Sequence, residues 1–364
     1  MSESPFSKHY SDARELFRSA ATSAGAEVAS YPYPAKGPGG EELTTDVAWI
    51  GPREAKKVFV TVSGTHGIEG FAGSAAQIDW LQRGEWKKLQ FEGKFTDTSA
   101  ILVHAINPYG FAWRRRVTHE NIDLNRNWMD FAIKPERRAD YDELADALCP
   151  TQWTAEVQKQ TLEVLQAFIA KHNLSRFVTA VSGGQHDHPK GLFYGGTSPS
   201  AARLTLTKIL AERLKLARDI GIIDFHTGLG PPGFGELMTT AAAGSAEFAR
   251  AREWFGISVI PVGAAASASA AIGGDWLSYT PTLLPHARVT AIALEFGTVP
   301  EMLVLQALRA DNWLHAHGNP NGPEAAAIRE QITNAFHVDN DVWRGMVLGQ
   351  ALATSRAALT GLRQ

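Results

Sequence analysis

Histidine and acidic side chains follow separate apolar runs of this sequence, and these residue types can hold a metal ion. His66 and Glu69 come after the run 58–62, and His226 comes directly after the run 220–225. A histidine and a glutamate three residues apart, in a turn that enters a helix, can converge on one cation. Zinc accepts this ligand mixture and keeps a water molecule in its open position. The pattern predicts one zinc ion on His66, Glu69 and His226, although a capping glutamate beside an incidental histidine has the same spacing.

A further acidic residue, Glu295, follows the apolar run 289–294 in the same way. Zinc lowers the pKa of its bound water to about 7, and a nearby carboxylate can carry the water proton to a leaving amine. Glu295 is therefore predicted to be the catalytic base and acid, with a structural carboxylate paired to an arginine as the alternative. Asp224 lies on the same side of its strand as His226, where it either orients that ring or accepts a strand-end hydrogen bond.

The most concentrated polar segment, 113–128, supplies positively charged donors. A guanidinium offers a bidentate fork to a carboxylate, so Arg126 with Asn125 is predicted to bind a substrate carboxylate. Arg115 or Arg116 is predicted to face the oxyanion that develops during amide hydrolysis. The alternative is a solvated basic turn in which these arginines pair with acidic neighbours.

The elements that must position these residues are strands alternating with helices. Strands are predicted at 43–50, 58–62, 100–106, 176–181, 220–225 and 289–294. Helices are predicted at 7–24, 71–81, 151–171, 200–217 and 245–254 and from 300 onward. This alternation favours a single three-layer α/β/α domain with a mostly parallel, mixed central sheet. Ligands of such sheets bind at the carboxyl ends of the strands, which is where the predicted site residues lie.

One zinc-hydrolase domain is expected over residues 1–364, because no internal repeat or low-complexity linker divides the chain. Its predicted parts are an N-terminal helix with strands (1–50), an insertion (129–196) that begins as a charged, irregular surface segment (129–150), and C-terminal helices (300–364). His104 lies inside an apolar run and is predicted to be a core residue.

Composition excludes several classes of function. The net charge of -3 and the lack of a long Lys/Arg run give no support to nucleic-acid binding. Cys149 is the only cysteine, which excludes an intramolecular disulfide and a thiolate-built metal site. Neither a signal-peptide core nor an apolar run of roughly eighteen residues is present, so a cytoplasmic protein without membrane contact is expected. The oligomeric state is not indicated.

Five ordered motifs resemble those of the zinc carboxypeptidase (carboxypeptidase A-like) superfamily, a group of zinc-dependent exopeptidases. They are His-Gly-Ile-Glu (66–69), Asn-Pro-Tyr-Gly (107–110), Ile-Asp-Leu-Asn-Arg-Asn (122–127), Asp-Phe-His-Thr (224–227) and Leu-Glu (294–295). The fourth motif, and the fifth in its longer form Leu-Glu-Phe-Gly, equally resemble the aspartoacylase and succinylglutamate desuccinylase relatives. The resemblance spans about 58–298.

The resemblance implies the same zinc ligands, catalysis by Glu295, a substrate carboxylate on Asn125 and Arg126, and one arginine of 114–116 at the oxyanion. Gly-Gly-Asp-Trp (273–276) resembles the loop that lines the carboxypeptidase specificity pocket, which makes Asp275 a candidate substrate-binding residue. The tyrosine of the family has no counterpart in 267–271, and Tyr279 is the candidate substitute. The spacing from Glu69 to His226 is also longer than is usual in the family.

His186 and His188 are the rival metal ligands, since they follow another predicted strand. His119-Glu120 lacks the second histidine of a zincin motif, and no Gly-x-Ser-x-Gly elbow supports a serine hydrolase. The sequence thus predicts a zinc metallopeptidase-like hydrolase that cleaves an amide beside a free carboxylate, first of all a metallocarboxypeptidase acting on a short peptide. The alternatives are an N-acyl amino acid deacylase and a non-catalytic zinc-containing binding module.

Overall fold

The computed structural model describes residues 4–91, 96–264, 267, 269 and 272–364. Within these ranges the strands form one mixed sheet in the order β1-β2-β4-β3-β5-β8-β6-β7. The strands are β1 Glu27–Lys36, β2 Glu42–Ile50, β3 Lys57–Val62, β4 Thr98–His104, β5 Asp219–Pro232, β6 Gly235–Thr239, β7 Ile260–Pro261 and β8 Arg288–Gly297. The central strands β4, β3, β5 and β8 are parallel, whereas β1, β2 and β6 pair antiparallel to β2, β4 and β8.

Helices cover both faces of this sheet. They are α1 Tyr10–Ser23, α2 Gly70–Gln82, α3 Glu85–Phe91, α4 Pro108–Trp113, α5 Ala139–Leu148, α6 Ala155–His172, α7 Leu174–Ser182, α8 Ala201–Arg213, α9 Ala246–Phe255, α10 Thr280–Leu283, α11 Glu301–Ala316, α12 Ala325–Phe336 and α13 Asp341–Gly361. The predicted α/β fold with a mostly parallel, mixed sheet is confirmed.

The two faces of the central strands build two separate cores, because successive side chains of a strand point to opposite sides. Val58, Val60 and Val62 of β3 pack into a core shared with α5, α6, α7, α8 and α11. Phe59 packs on the other face with residues of α1, α2, α9 and α13. Burial on both faces explains why the parallel strands are continuous apolar runs in the sequence.

Two predictions in the region before β5 are wrong. The run 176–181, predicted to be a strand, lies in helix α7, where Phe177, Ala180 and Val181 recur at helical spacing and are buried on one side. A short apolar run does not reveal its period, and here Asn173 caps a helix by accepting a hydrogen bond from the Arg176 backbone N–H.

The predicted charged surface segment 129–150 contains helix α5, which belongs to the core. Tyr141, Leu144 and Leu148 are fully buried and lie on one side of this helix at intervals of three and four residues. The charged residues occupy its other positions, so the irregular appearance of the sequence is that of an amphipathic helix.

His104 is a core residue, as predicted. Its ring is fully buried, stacks on Phe17 at a centroid distance of 4.4 Å, and has Nε2 2.9 Å from Ser74 Oγ. Among the helices that the structure describes, we find none with both the length and the apolar character needed to span a membrane.

Candidate metal centre and adjoining cavity

Three parallel strands bring the predicted site residues to one edge of the sheet. Strand β3 pairs with β5, and β5 pairs with β8, so that the carboxyl ends of all three lie side by side. In this register His226 of β5 lies directly opposite Glu295 of β8. The chain leaves β3 at Val62 and turns into α2, and His66 and Glu69 lie in this turn.

The turn between β3 and α2 is held against the segment that carries Arg116. The backbone N–H of Gly67 donates to the Arg116 carbonyl at 3.1 Å, and that of Ile68 donates to the Arg115 carbonyl at 2.8 Å. Gly67 also packs closely against Gly110, because a Cβ at position 67 would lie 2.0 Å from the Gly110 carbonyl carbon. The two hydrogen bonds place the Arg116 side chain beside His66 and Glu69.

His66, Glu69 and His226 form a compact buried cluster. Each offers one ligand atom, and these atoms all lie within 4.8 Å of one another, the one such group found in the described part of the chain. His66 Nδ1 is 2.8 Å from Glu69 Oε1, and His226 Nδ1 is 2.9 Å from Glu69 Oε2. Two imidazole nitrogens flanking one carboxylate are a ligand set that zinc accepts, so these three residues could hold a single ion.

The second nitrogen of each ring faces a buried carboxylate. His226 Nε2 lies 2.7 Å from Asp224 Oδ2, and His66 Nε2 lies 3.3 Å from Asp123 Oδ1. Such partners direct the opposite nitrogen of a histidine toward a metal and make it a better ligand. Of the two readings that the sequence left open for Asp224, this geometry fits the ring-orienting one.

Asp224 is itself held in place by two donors. Thr65 Oγ1 donates to its Oδ1 at 2.8 Å, and the indole Nε1 of the fully buried Trp276 donates to its Oδ2 at 2.6 Å. Neither residue was predicted to support the site. Trp276 lies in a motif singled out in the sequence, but only its neighbour Asp275 was assigned a role there.

The charges of the cluster suit a divalent cation. Burial by itself would raise the pKa of Glu69 and lower that of His226, yet Glu69 is held well below and His226 well above its ordinary pKa. The histidine rings cause the first shift, and Asp224 with Glu69 causes the second. Three carboxylates and one guanidinium contact the two rings, namely those of Glu69, Asp123, Asp224 and Arg116. With neutral rings this set carries a net charge of -2, which a divalent ion would balance.

Glu295 lies beside the cluster and lines the same cavity as His66, Glu69 and His226. Its Oε1 accepts a hydrogen bond from the Leu229 backbone N–H at 3.1 Å. Burial raises the pKa of Glu295 to about 7, and the nearby Glu69 carboxylate adds to this rise. A carboxyl group with this pKa can both accept and donate a proton near neutral pH.

Of the two arginines predicted for the oxyanion, only Arg116 reaches the cluster. Its guanidinium contacts Asp123 Oδ2 at 2.9 Å, Glu69 Oε1 at 3.2 Å and His66 Nε2 at 2.8 Å. With the His66 Nε2 proton directed to Asp123, only the two carboxylates engage N–H donors of Arg116, which leaves three of the five for a ligand. Arg115 is directed elsewhere and donates to Asp311 Oδ2 at 3.0 Å, so its predicted catalytic role is wrong.

Asn125 and Arg126 lie together in the wall of the same cavity. They belong to a 3-10 turn whose Asp123 side chain accepts from the Asn125 backbone N–H at 2.9 Å. The Arg126 guanidinium donates to the backbone carbonyls of Ser182 and Asn125, using three of its five N–H groups. Two donors remain, and the Asn125 side-chain amide has no donor bond within the described residues.

Asp275 and Tyr279 have different positions relative to the cavity. Asp275 is a lining residue, and its carboxylate accepts from the backbone N–H and hydroxyl of Ser278. Tyr279 packs against Trp128 and Arg203 outside the cavity wall that the structure describes. The expected substitution of Tyr279 for the tyrosine of the family is therefore wrong.

The rival histidines lie outside the cluster. His188 Nε2 is 2.6 Å from Asp142 Oδ1, and His186 Nδ1 is 2.7 Å from the Gly196 carbonyl. His119 contacts the Tyr33 hydroxyl at 3.0 Å. These histidines thus have protein partners of their own rather than a shared point for an ion.

A cavity of about 260 Å³ opens from the cluster. Its polar end contains the three residues of the cluster together with Arg116, Asn125, Arg126 and Glu295. Elsewhere its wall is mostly apolar, with side chains from β6, β8, α7, α11 and the segment around Phe193. The ring of Phe193 lies 5.3 Å from the Arg116 guanidinium and 5.5 Å from that of Arg126. No motif of the sequence marks Phe193 as a site residue.

Solved structures similar to this chain come from the two groups that the motifs resemble. Bovine thrombin-activatable fibrinolysis inhibitor, solved in complex with tick carboxypeptidase inhibitor, is 12% identical with a TM-score of 0.45, covering 90% of this chain and 97% of that one. Carboxypeptidase A from Helicoverpa armigera is 10% identical with a TM-score of 0.43, covering 91% and 74%. An aspartoacylase family protein from Mesorhizobium loti is 15% identical with a TM-score of 0.36, covering 82% and 68%.

No curated protein matches the sequence. A family model described as "Protein of unknown function (DUF2817)" matches residues 6–350, and the chain therefore belongs to that family.

Proposed function

We propose that this protein is a zinc-dependent hydrolase that cleaves an amide bond beside a free carboxylate. The observation that carries the proposal is the orientation of the two histidines. Both Nδ1 atoms lie against the Glu69 carboxylate. His226 Nε2 faces the buried Asp224 carboxylate, and His66 Nε2 lies 3.3 Å from Asp123 Oδ1 and 2.8 Å from Arg116 Nη2. C-terminal peptide bonds and N-acyl amino acids both contain such an amide, so the proposal includes carboxypeptidase and deacylase action.

His66, Glu69 and His226 are the residues that would hold the ion. Zinc in this position supplies a water molecule of lowered pKa and polarises the carbonyl group of the amide. Nitrogen and carboxylate ligands with one open position are typical of catalytic zinc sites, whereas structural sites are usually closed by four protein ligands.

The remaining side chains of the cavity divide the other tasks. Asn125 and Arg126 bind the substrate carboxylate through the donors that the protein leaves free. Arg116 donates its unused N–H groups to the oxygen that gains negative charge, a contribution typically of about 2.7–4 kcal/mol for one such donor. Glu295 takes the proton from the attacking water and delivers it to the leaving amine nitrogen.

The metal assignment is tested by bound zinc in two histidine variants. We expect His226→Ala to lose stoichiometric zinc and the matched variant His186→Ala to retain it, both measured by elemental analysis of the folded proteins. Retention of zinc by the His226 variant would remove the basis of the proposal.

The catalytic assignment is tested by Glu295→Gln. We expect this variant to keep its zinc and to lose activity by a factor of about 10² to 10⁴ toward short peptides and N-acyl amino acids. A zinc-loaded wild-type protein that hydrolyses none of these substrates would instead be a binding module.

A further inference from the structure

The cavity continues into an apolar groove between helices α7 and α11. The groove is lined by side chains from both helices and from the segment before α8: Phe177, Val178, Val181, Phe193, Leu305 and Leu308. All of these except the half-buried Val178 are buried. Leu174 and Met302, at the first turns of the two helices, line the same cavity and are exposed, which gives the groove an apolar mouth.

Phe193 joins this groove to the carboxylate-binding end of the cavity. Its ring lies near both the Arg116 and the Arg126 guanidinium groups, and it also belongs to the apolar lining. Its backbone has a φ of 51°, a left-handed conformation that is unfavourable for a bulky side chain. Strained residues of this kind cluster at ligand sites, where the surrounding structure maintains them.

The six described side chains that define the groove are all apolar and offer a ligand no hydrogen-bonding partner. Inside each of the helices α7 and α11, the backbone N–H and C=O groups hydrogen-bond within that helix and are not available to a ligand. At the start of α7 the Arg176 N–H is capped by Asn173, and at its end the Ser182 carbonyl accepts from Arg126. Glu301, the charged residue of the α11 lining, is exposed at the mouth.

This chemistry distinguishes a hydrocarbon chain from a peptide. A peptide lying in the groove would bury amide N–H and C=O groups without partners, each at an unfavourable free energy. A hydrocarbon chain has no such groups and gains from burial against the apolar wall.

We propose that the groove binds the acyl chain of an N-acyl amino acid, with the amino acid carboxylate on Asn125 and Arg126. This inference rests on the proposed function and names its substrate class. In the reaction, water adds to the amide carbonyl carbon and the C–N bond breaks. The acyl chain leaves as a fatty carboxylate, and the amine nitrogen takes up the proton and leaves with the amino acid.

The test is a chain-length series on the zinc-loaded full chain. N-acetyl, N-hexanoyl and N-decanoyl derivatives of one amino acid are compared by kcat/KM with peptides of similar length. We expect kcat/KM to rise by roughly fourfold for each methylene that enters the groove, until it is filled. A flat series, or a preference for the peptides, would overturn the inference.

Two neighbouring positions of α7 provide matched variants. Val178→Trp fills the groove, and we expect it to reduce the ratio of decanoyl to acetyl activity at least tenfold. Thr179→Trp places the same side chain at an exposed position next to it, and the ratio should not change. Leu305→Asn introduces an amide of similar size into the groove and should lower the ratio even if the tryptophan variant does not fold.

Binding measured without turnover separates the two proposals. The Glu295→Gln variant is titrated calorimetrically with N-decanoyl and N-acetyl amino acids. The difference between the two affinities reports the contribution of the groove. Hydrolysis without dependence on chain length overturns only the acyl-groove inference. Chain-dependent binding by the wild type without any hydrolysis supports the groove and overturns the proposed function.

Discussion

Replacing Asp224 by asparagine tests whether the carboxylates behind the histidines make this a metal site. The substitution is nearly isosteric. Asp224 Oδ2 lies 2.7 Å from His226 Nε2 and 2.6 Å from Trp276 Nε1, while Oδ1 accepts from Thr65 Oγ1 at 2.8 Å. An asparagine can keep its carbonyl oxygen toward the two ring nitrogens and turn its amide toward the Thr65 hydroxyl, which can rotate to accept.

Only the negative charge behind His226 is then lost, and with it part of the basicity of Nδ1. Loss of such a partner typically weakens metal binding by about 10- to 100-fold. This factor corresponds to about 1.4–2.7 kcal/mol at 25 °C. Because the hydrogen-bond count is preserved, the variant should remain folded.

The assay is a zinc titration in competition with a chelator of known affinity, applied to Asp224→Asn and wild type. Asp142→Asn is the matched control, since it neutralises the carboxylate of a close histidine–aspartate contact outside the cluster, that with His188. We expect zinc affinity to fall in the first variant and to stay at the wild-type value in the control. Equal affinities in all three proteins would refute the reasoning, as would a comparable loss in both variants.

Three further outcomes are expected. Arg126→Gln should raise KM more than it lowers kcat for substrates with a free carboxylate. If KM rises by the same factor for a substrate whose carboxylate is esterified, Arg126 does not bind that carboxylate. Removing zinc with a chelator should lower Tm by several degrees, because an ion at 100 times its Kd stabilises the folded state by about 2.7 kcal/mol; an unchanged Tm would count against a folded-state site. Burial lowers the pKa of His104 to about 4, so the folded protein keeps this ring neutral while the unfolded chain takes up a proton below pH 6.5. Stability should therefore fall by up to about 3 kcal/mol between pH 6.5 and 4, and His104→Gln should lessen this loss in urea unfolding, whereas the exposed His317→Gln should not.

Local sequence was enough to predict the sheet edge and the residue types gathered there. Strands β3, β5 and β8 are buried on both faces, so they are continuous apolar runs, and the polar residue that ends each run marks the carboxyl edge. His66, Glu69, His226 and Glu295 could be selected on that basis. Their roles as ligands and base remain predictions until zinc and activity are measured.

Tertiary structure decided what local pattern leaves open, which is direction and partnership. Arg115 and Arg116 are adjacent in the chain, and only the packing of their segment against the β3–α2 turn directs Arg116 to the cluster and Arg115 to Asp311. The run 176–181 has the composition of a strand, yet it forms a helix. Its buried side chains recur at helical spacing and pack into the core. The groove itself is formed by helices more than a hundred residues apart, and no spacing within one segment can reveal a surface that two distant segments make together.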